Sequence, residues 1–215
     1  MKTRRTNRLR LTMRWLRSLA ASNCKRDSGS QIVEFAVALP LLVLFVVGIF
    51  DFSGAFTLKQ KLTNVARDAA RAAAAEPNTD LSAAVPVSVN DAFYVIDNYL
   101  KANQISDCGI GPSNVTAASP TWTYYMAGGG ATGCATAGLK IIINRGYYFP
   151  AATSAQPAPT SCNAQSASGV TAVIATCVSI QYGYQWKFGN VASLMGRTPL
   201  LPTTITVSAV AMNED

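Results

Sequence analysis

One uninterrupted apolar run constrains this chain more than any other feature. From Ile32 to Phe50 the only ionisable side chain is Glu34, and the other residues are apolar or small. As a helix this run would be about 28 Å long, close to the ~30 Å hydrocarbon core of a bilayer. Its apolar residues cover every face, whereas a buried core helix is normally amphipathic. The run therefore predicts a transmembrane helix.

The basic residues are concentrated before this run. Residues 1–29 contain nine Lys or Arg and one acidic residue, so they carry a net charge of +8, while the whole chain carries +7. Because basic residues favour the cytoplasmic side of a membrane, we expect a cytoplasmic amino terminus and an external body. The body carries −1 and offers no basic patch for phosphates, so no nucleic acid partner is expected.

The composition argues against catalysis. The chain has no histidine, which removes Ser-His-Asp and Cys-His sites and nearly all zinc enzymes. An exported enzyme would need a Ser-Lys or paired-carboxylate site, and no such constellation stands out among the scattered acidic residues. The 49% hydrophobic and 13% charged content is also too apolar for a disordered chain. We therefore expect a protein that is not an enzyme and uses no cofactor or metal.

Three kinds of processing compete at the apolar run. A secretory signal needs small residues close behind its apolar core, but the first suitable run, Ala72 to Ala75, lies too far along the chain. A lipoprotein signal ending at Cys24 fails because arginines interrupt the preceding segment. The third possibility is a cut before the run, between Gly29 and Ser30, where Glu34 and Phe35 follow.

This last pattern carries a resemblance to a known family. Glycine, a five-residue step to glutamate and an adjacent aromatic residue resemble the type IV prepilin site that a membrane prepilin peptidase cleaves. The longer segment GSQIVEFAVALPLLVLFVVGIFDFSGAFTLKQKLTNVARDAARAA, from Gly29 to about Ala75, resembles TadE/TadF-type pilus assembly proteins. These are minor pseudopilins of tight-adherence (Flp) type IV pilus systems.

The resemblance implies roles for four residues and a set of partners. Gly29 and Ser30 would flank the cleaved bond, and Glu34, beside Phe35, would pair with the free Ser30 amine of a neighbouring subunit during assembly. The partners would be prepilin peptidase, other pseudopilins, the major pilin and the inner-membrane pilus assembly platform. A carboxylate inside a bilayer is costly, so Glu34 should have such a partner, although a position at the headgroup level is the alternative.

The helix is expected to continue past the bilayer as an amphipathic spine. An apolar stripe of Phe52, Phe56, Leu62, Ala66, Ala69 or Ala70, and Ala73 alternates with polar residues that include Asp51, and Pro77 ends the pattern. We expect this stripe to pack on the body rather than form a subunit interface.

The predicted domains are a basic leader (1–29), a transmembrane helix (30–50), the spine (51–76) and an αβ head (77–215). Pro40 predicts a kink, with or without a function.

The head is predicted to contain one short helix and a small antiparallel sheet, which makes the fold α+β. Ser88 and Asp91 form a weak capping box before a helical stripe from Val89 to Ala102. Segments 121–125, 139–144, 170–174, 178–188 and 204–212 have the β-branched, aromatic or alternating residues of strands. Between them, the Gly-rich and Ser-rich stretches 128–138 and 151–169 predict loops. The run Gly128 to Gly130 lacks the lysine and following helix of a phosphate-binding loop.

The cysteines and an aromatic row complete the reading of the head. Cys108, Cys134, Cys162 and Cys177 predict two disulfides in an oxidising compartment, and of three possible pairings we favour Cys108 with Cys134 and Cys162 with Cys177.

The aromatic residues Tyr182, Tyr184, Trp186 and Phe188 alternate and should share one strand face. That face would pack on the long helix, with surface or glycan contact as the alternative.

Two functions remain open at this point. The first is a TadE-like pseudopilin that is anchored in the bacterial inner membrane by a single pass, with a periplasmic head, and is needed to assemble an adhesive pilus. It could also reach the pilus or the cell surface after assembly. The second is a membrane-tethered adhesion or sensor module that never enters a pilus, which an uncut amino terminus would favour.

Overall fold

The structure is a computed structural model that describes residues 27–77, 81–129, 133–150, 159, 161–163, 172–187 and 202–213. Residues 1–26 of the predicted leader, most of the predicted loop 151–169, and Phe188 of the aromatic row lie outside these ranges. The chain divides into two compact units, Met1–Ile49 and Phe50–Asp215. Helix α1 (Asp27–Ala74) begins in the first unit, and it contains Pro40 within its length.

The apolar run lies in α1 and is exposed. Between Ile32 and Phe50 the large apolar side chains are 41–71% exposed, except for Leu44 and Val47, which are half-buried. The helix is long and apolar enough to cross a membrane, and none of its most apolar stretch is buried. Water-soluble proteins rarely have so large a continuous apolar patch on their surface. This part of α1 is therefore a candidate membrane anchor.

In the second unit, α1 buries one face. The buried residues recur at three- and four-residue steps, and they are Ala55, Leu62, Val65, Ala66, Ala69, Ala70, Ala73 and Ala74. Core packing of the alanine-rich stripe is thus confirmed. The predicted face was wrong at its start, however, because Phe52 and Phe56 are exposed whereas Asp51 is buried. Buried Asp51 is tolerated because hydrogen bonds compensate for its loss of water, as described below.

Helix α2 (Val87–Ala102) follows a short connection. Pro86 is the N-cap residue, in an extended conformation with φ −63° and ψ 154°, and no side chain caps the helix. The predicted capping box was therefore wrong: the helix begins before Ser88, so Ser88 lies within its first turn. Because the proline ring fixes φ, it sets the start of the helix without a side-chain cap.

The described residues after α2 form a five-stranded antiparallel sheet with its connections. Its strands are β1 (Val115–Ala118), β2 (Thr121–Met126), β3 (Leu139–Pro150), β4 (Ala172–Gly183) and β5 (Thr204–Met212). The strands are neighbours in chain order, so the sheet is a meander. The fold is α+β, with a long helix, a short helix and an antiparallel sheet, as the sequence predicts.

Three strands differ from the prediction. Strand β1 was not predicted, because it is short and mostly exposed and so lacks an alternating pattern. Strand β4 is one strand where the sequence suggested two, and it ends at Gly183 instead of continuing to Phe188. Strand β3 continues beyond Asn144 through a register shift that ends at Tyr147. A bulge of this kind interrupts the alternation on which the strand prediction depends.

The two faces of the sheet have separate cores. On one face the buried side of α1 and α2 pack against Trp122, Tyr124, Ile141, Ile143, Val178 and Ile180. The Phe93 ring of α2 stacks on the Tyr124 ring with centroids 4.4 Å apart. On the other face a small cluster joins Ile142, Tyr147, Cys162 and Cys177. Val210 of β5 packs against this second cluster.

Candidate functional site

The predicted assembly residues lie in the first turns of α1. Gly29 is exposed, and a Cβ placed there would have no atom within 4 Å. Glu34 is exposed, and Phe35 is 65% exposed. The backbone of Ser30 lies four residues, about one helical turn, before Glu34. A carboxylate at an exposed helix position can accept a charge-assisted hydrogen bond from an amine of another subunit.

At the start of the second unit, Asp51 joins α1 to the chain that follows β4. Its carboxylate Oδ1 accepts the Lys187 backbone N–H at 3.1 Å, and its backbone oxygen accepts the Tyr184 hydroxyl at 3.3 Å. Burial raises the pKa of Tyr184, and the Asp51 charge raises this pKa further. Asp51 therefore anchors the segment Tyr184–Lys187 to the helix.

Arg145, in the middle of β3, makes a corresponding connection near the carboxyl-terminal end of α1. Its side chain is fully buried, and its guanidinium donates to the Glu76 carbonyl, just beyond α1, at 2.8 Å. Its backbone N–H donates to the Pro120 carbonyl at 3.0 Å, and its own carbonyl accepts the Asn213 side-chain amide at 3.2 Å. One arginine thus ties the end of α1 to the β1–β2 turn and to the end of β5.

Two disulfides cross-link the second unit, and they are the pairs that the sequence analysis favoured. Cys108 is joined to Cys134, and Cys162 is joined to Cys177. The first bond holds the chain after α2 against the β2–β3 connection. The second holds a covering segment against β4, where the Asn144 side-chain amide also donates to the Cys162 carbonyl at 3.1 Å.

The described parts of the connection between β2 and β3, residues 127–129 and 133–138, pack closely against each other. A Cβ at Gly128 would collide with the backbone of Ala135, and the Gly129 N–H donates to the Cys134 carbonyl at 3.2 Å. Gly138 has a φ of +67° and also lies against the backbone of Met126, so only glycine fits there. Gly130, the last residue of the predicted glycine run, lies outside the described residues.

The aromatic row does not share one strand face, because β4 ends at Gly183. Tyr182 is in the strand, and its hydroxyl donates to the Ser106 carbonyl at 3.0 Å. Tyr184 and Trp186 follow the strand and contact each other edge to face, with ring centroids 5.1 Å apart. The predicted contact with the long helix is made by Tyr184. Phe188 lies outside the described residues.

Sequence reasoning missed Asp51 and Arg145. Asp51 stands four residues before Ala55 in the heptad-like spacing of the buried face, and this spacing could have revealed its burial. Nothing comparable marks Arg145, whose partners lie far away in the chain. Within the described ranges, no group of three or more His, Cys, Asp or Glu residues is placed to hold a metal ion.

The fold and the exposed apolar helix define the class: an α+β protein whose described residues include one candidate membrane anchor, at the amino-terminal side. Within that class the chain carries a TadE-like region, since residues 29–71 match the family model described as TadE-like protein. TadE-like proteins are pilus-associated. The matched region includes the apolar run and most of the buried stripe, and it ends before the sheet. No curated protein and no solved structure gave a significant match.

Proposed function

We propose that this protein is a TadE-like minor pseudopilin that is needed to assemble an adhesive Flp-type pilus. The observation that carries the proposal is that the TadE-like match falls on the exposed apolar helix and includes Gly29 and Glu34. Prepilin peptidase would remove the leader, residues 1–29. The mature chain would then begin at Ser30, directly before the membrane helix.

The proposed topology follows from charge and length. The basic leader would remain in the cytoplasm, residues 30–50 would span the inner membrane once, and the spine and head would lie in the periplasm. The compact second unit would be carried by α1, whose carboxyl-terminal part is in its core. Other pseudopilins, the major pilin and the inner-membrane assembly platform would be its partners, and exposed apolar side chains of α1 would contact lipid or neighbouring helices.

The proposed assembly contact is an ion pair between Glu34 and the Ser30 amine of a neighbouring subunit. Such a pair is strengthened in a low-dielectric membrane, where an isolated carboxylate is costly by roughly 2.5–3.5 kcal/mol near the bilayer centre. Cleavage creates the amine, so processing and pairing form one mechanism. A neutral residue at position 34 should insert more easily but should not assemble.

The test replaces Glu34→Gln in the bacterium that encodes the protein and measures intact mass, membrane content and pilus formation. Wild type should have the mass of a chain that begins at Ser30. The variant should remain in the membrane and lose pili and surface attachment. Glu76→Gln is the matched control, since it makes the same change just beyond α1, and it should behave like wild type.

Two outcomes would contradict the proposal. Wild-type protein that keeps residues 1–29 in cells with the peptidase would exclude the pilin-like mechanism. Normal pili and attachment in Glu34→Gln would exclude the ion pair and favour the membrane-tethered adhesion or sensor module. Such a module depends only on its external part, which this substitution leaves intact.

A further inference from the structure

A group of aromatic side chains surrounds the point where the apolar run ends. Phe50 and Phe52 lie on either side of Asp51 in α1 and are 71% and 66% exposed. Tyr184 and Trp186 lie at the same level of the helix, because the Tyr184 hydroxyl contacts the Asp51 carbonyl. These four residues are called the aromatic collar below. Asp51 is also the first charged residue after Glu34 in the chain.

Hydrogen bonds fix the collar in place. Besides the two bonds to Asp51, the Tyr184 N–H donates to the Thr203 carbonyl at 2.9 Å, and the Trp186 indole N–H donates to the Pro202 carbonyl at 2.8 Å. The segment after β4 is therefore held both by α1 and by the chain that enters β5. The Trp186 ring remains partly exposed, and Lys187 beside it is exposed.

The collar lies at one end of the second unit. From Asp51 to Ala74, α1 runs along the sheet from the Gly183 end of β4 towards the level of Arg145 in the middle of β3, a rise of about 35 Å at helical geometry. In the chain, the apolar run directly adjoins the Asp51 end. Exposed Met212, in the pair Ala175–Met212, lies towards the opposite end of the sheet.

We infer that the aromatic collar contacts the headgroup region of the bilayer that α1 enters; this inference rests on the membrane anchoring included in the proposed function. Trp and Tyr are enriched at this depth because their rings are apolar and their N–H and O–H groups are polar. The exposed Lys187 ammonium can approach anionic lipid phosphates. Before assembly, the head would thus rest on the membrane surface instead of standing away from it.

The test uses tryptophan fluorescence of the full chain carrying Trp15→Phe. This leaves Trp186 and the fully buried Trp122 as the only tryptophans. The protein is reconstituted in vesicles of phosphatidylethanolamine and phosphatidylglycerol, with or without a lipid that carries a nitroxide on its headgroup. About half of the emission should be quenched. Adding Trp186→Phe should abolish this loss, since buried Trp122 is shielded from the nitroxide.

The matched control moves the tryptophan to the opposite end of the sheet, by combining Trp186→Phe with Met212→Trp. Its emission should not be quenched. Unchanged near-ultraviolet circular dichroism and intact disulfides would show that the variants are folded. If Trp186→Phe does not fold, Trp186→Tyr, which keeps an interfacial ring, provides the same subtraction.

The outcomes separate the two proposals. Protein that alkaline carbonate strips from the vesicles would contradict the membrane anchor and with it this inference. Protein that floats with the vesicles without quenching of Trp186, or with equal quenching of Met212→Trp, would contradict the inference alone.

Discussion

At the residue scale, Tyr124 shows how one side chain joins the helices to the sheet. Its ring stacks on Phe93 of α2, and its hydroxyl donates to the Asn90 side-chain oxygen at 3.4 Å. Burial, together with a smaller contribution from neighbouring Tyr94, raises the pKa of Tyr124 to about 12. The folded state therefore keeps a proton that the unfolded chain loses near pH 10.

This difference predicts an alkaline loss of stability. Because the folded pKa is the higher one, the contribution of Tyr124 is fully present below pH 10 and is lost as pH rises towards 12. Tyr124→Phe should cost about 1 kcal/mol at neutral pH through the lost hydrogen bond, and it should make the decline between pH 10 and pH 12 shallower. Denaturant unfolding of the reconstituted protein, followed by circular dichroism at several pH values, measures both effects.

Tyr125→Phe is the control for this substitution, since the Tyr125 side chain is 51% exposed and points away from the helix-covered core. The control should unfold like wild type across the same pH range. If the stability of Tyr124→Phe falls as steeply as that of wild type between pH 10 and pH 12, the ionisation of Tyr124 is not the cause of the alkaline loss of stability.

At the scale of elements, α1 changes its environment along its length. Up to Phe50 most of its large apolar side chains are exposed and none is buried, whereas from Asp51 onward one face is buried in the core of the second unit. The burial of that face, and not helix propensity alone, stabilises a helix of this kind. A substitution in α1 should therefore have effects that depend on its face.

Leu62→Ala and Phe56→Ala test this dependence. Leu62 is fully buried, so its truncation should leave a cavity and cost roughly 2–5 kcal/mol of unfolding free energy. Phe56 is 53% exposed, and its truncation should change the stability by no more than about 0.5 kcal/mol. Chemical unfolding monitored by Trp122 emission in a Trp15→Phe, Trp186→Phe background gives both values. A larger loss of unfolding free energy in Phe56→Ala than in Leu62→Ala would contradict the observed buried face and would support the face predicted from the sequence.

The elements also show what the sequence could predict. Helical periodicity identified the alanine stripe, and β-branched residues identified β2, the start of β3 and all of β5. The sequence pattern places Phe52 and Phe56 on the buried face because they are apolar. It places Asp51 among the polar residues outside that face. Asp51 can be buried because its carboxylate accepts the Lys187 N–H. Lys187 lies 136 positions away in the chain, so local sequence patterns do not contain this information.

The candidate site also has one part that the sequence predicts and another part that only the structure shows. Gly29, Ser30, Glu34 and Phe35 form a contiguous motif, so the sequence alone was enough to propose them. The positions of Tyr184 and Trp186 depend on where β4 ends and on which strand end faces Asp51. The end of β4 became visible only with its pairing to β5, which stops at Gly183 and Thr204.

At the scale of the whole molecule, the two disulfides support the external location proposed for the head. Protein recovered from the envelope should have Cys108, Cys134, Cys162 and Cys177 oxidised, because the periplasm is an oxidising compartment. Alkylation before and after reduction, followed by peptide mass spectrometry, tests this state. Labelling of all four thiols without reductant would contradict the predicted topology.

A paired substitution extends this test to stability. Cys162→Ser with Cys177→Ser opens a loop of 15 residues, for which the chain-entropy model predicts a loss of roughly 3 kcal/mol. Cys24→Ser is the control, since that cysteine lies in the predicted leader and should not affect the head. An unchanged unfolding midpoint in the double variant would show that the bond does not stabilise the fold.

The meander has a consequence for how such a chain could mature during export. Each strand pairs with the one before it, and each disulfide joins two cysteines that are successive in the chain. A chain that emerges from a translocation channel from its anchored end would therefore meet each partner in order. An oxidant acting on cysteines as they appear would form Cys108–Cys134 and then Cys162–Cys177 without passing through a mismatched bond. Such a head needs no reshuffling by an isomerase and no wait for its carboxyl terminus before its first cross-link closes.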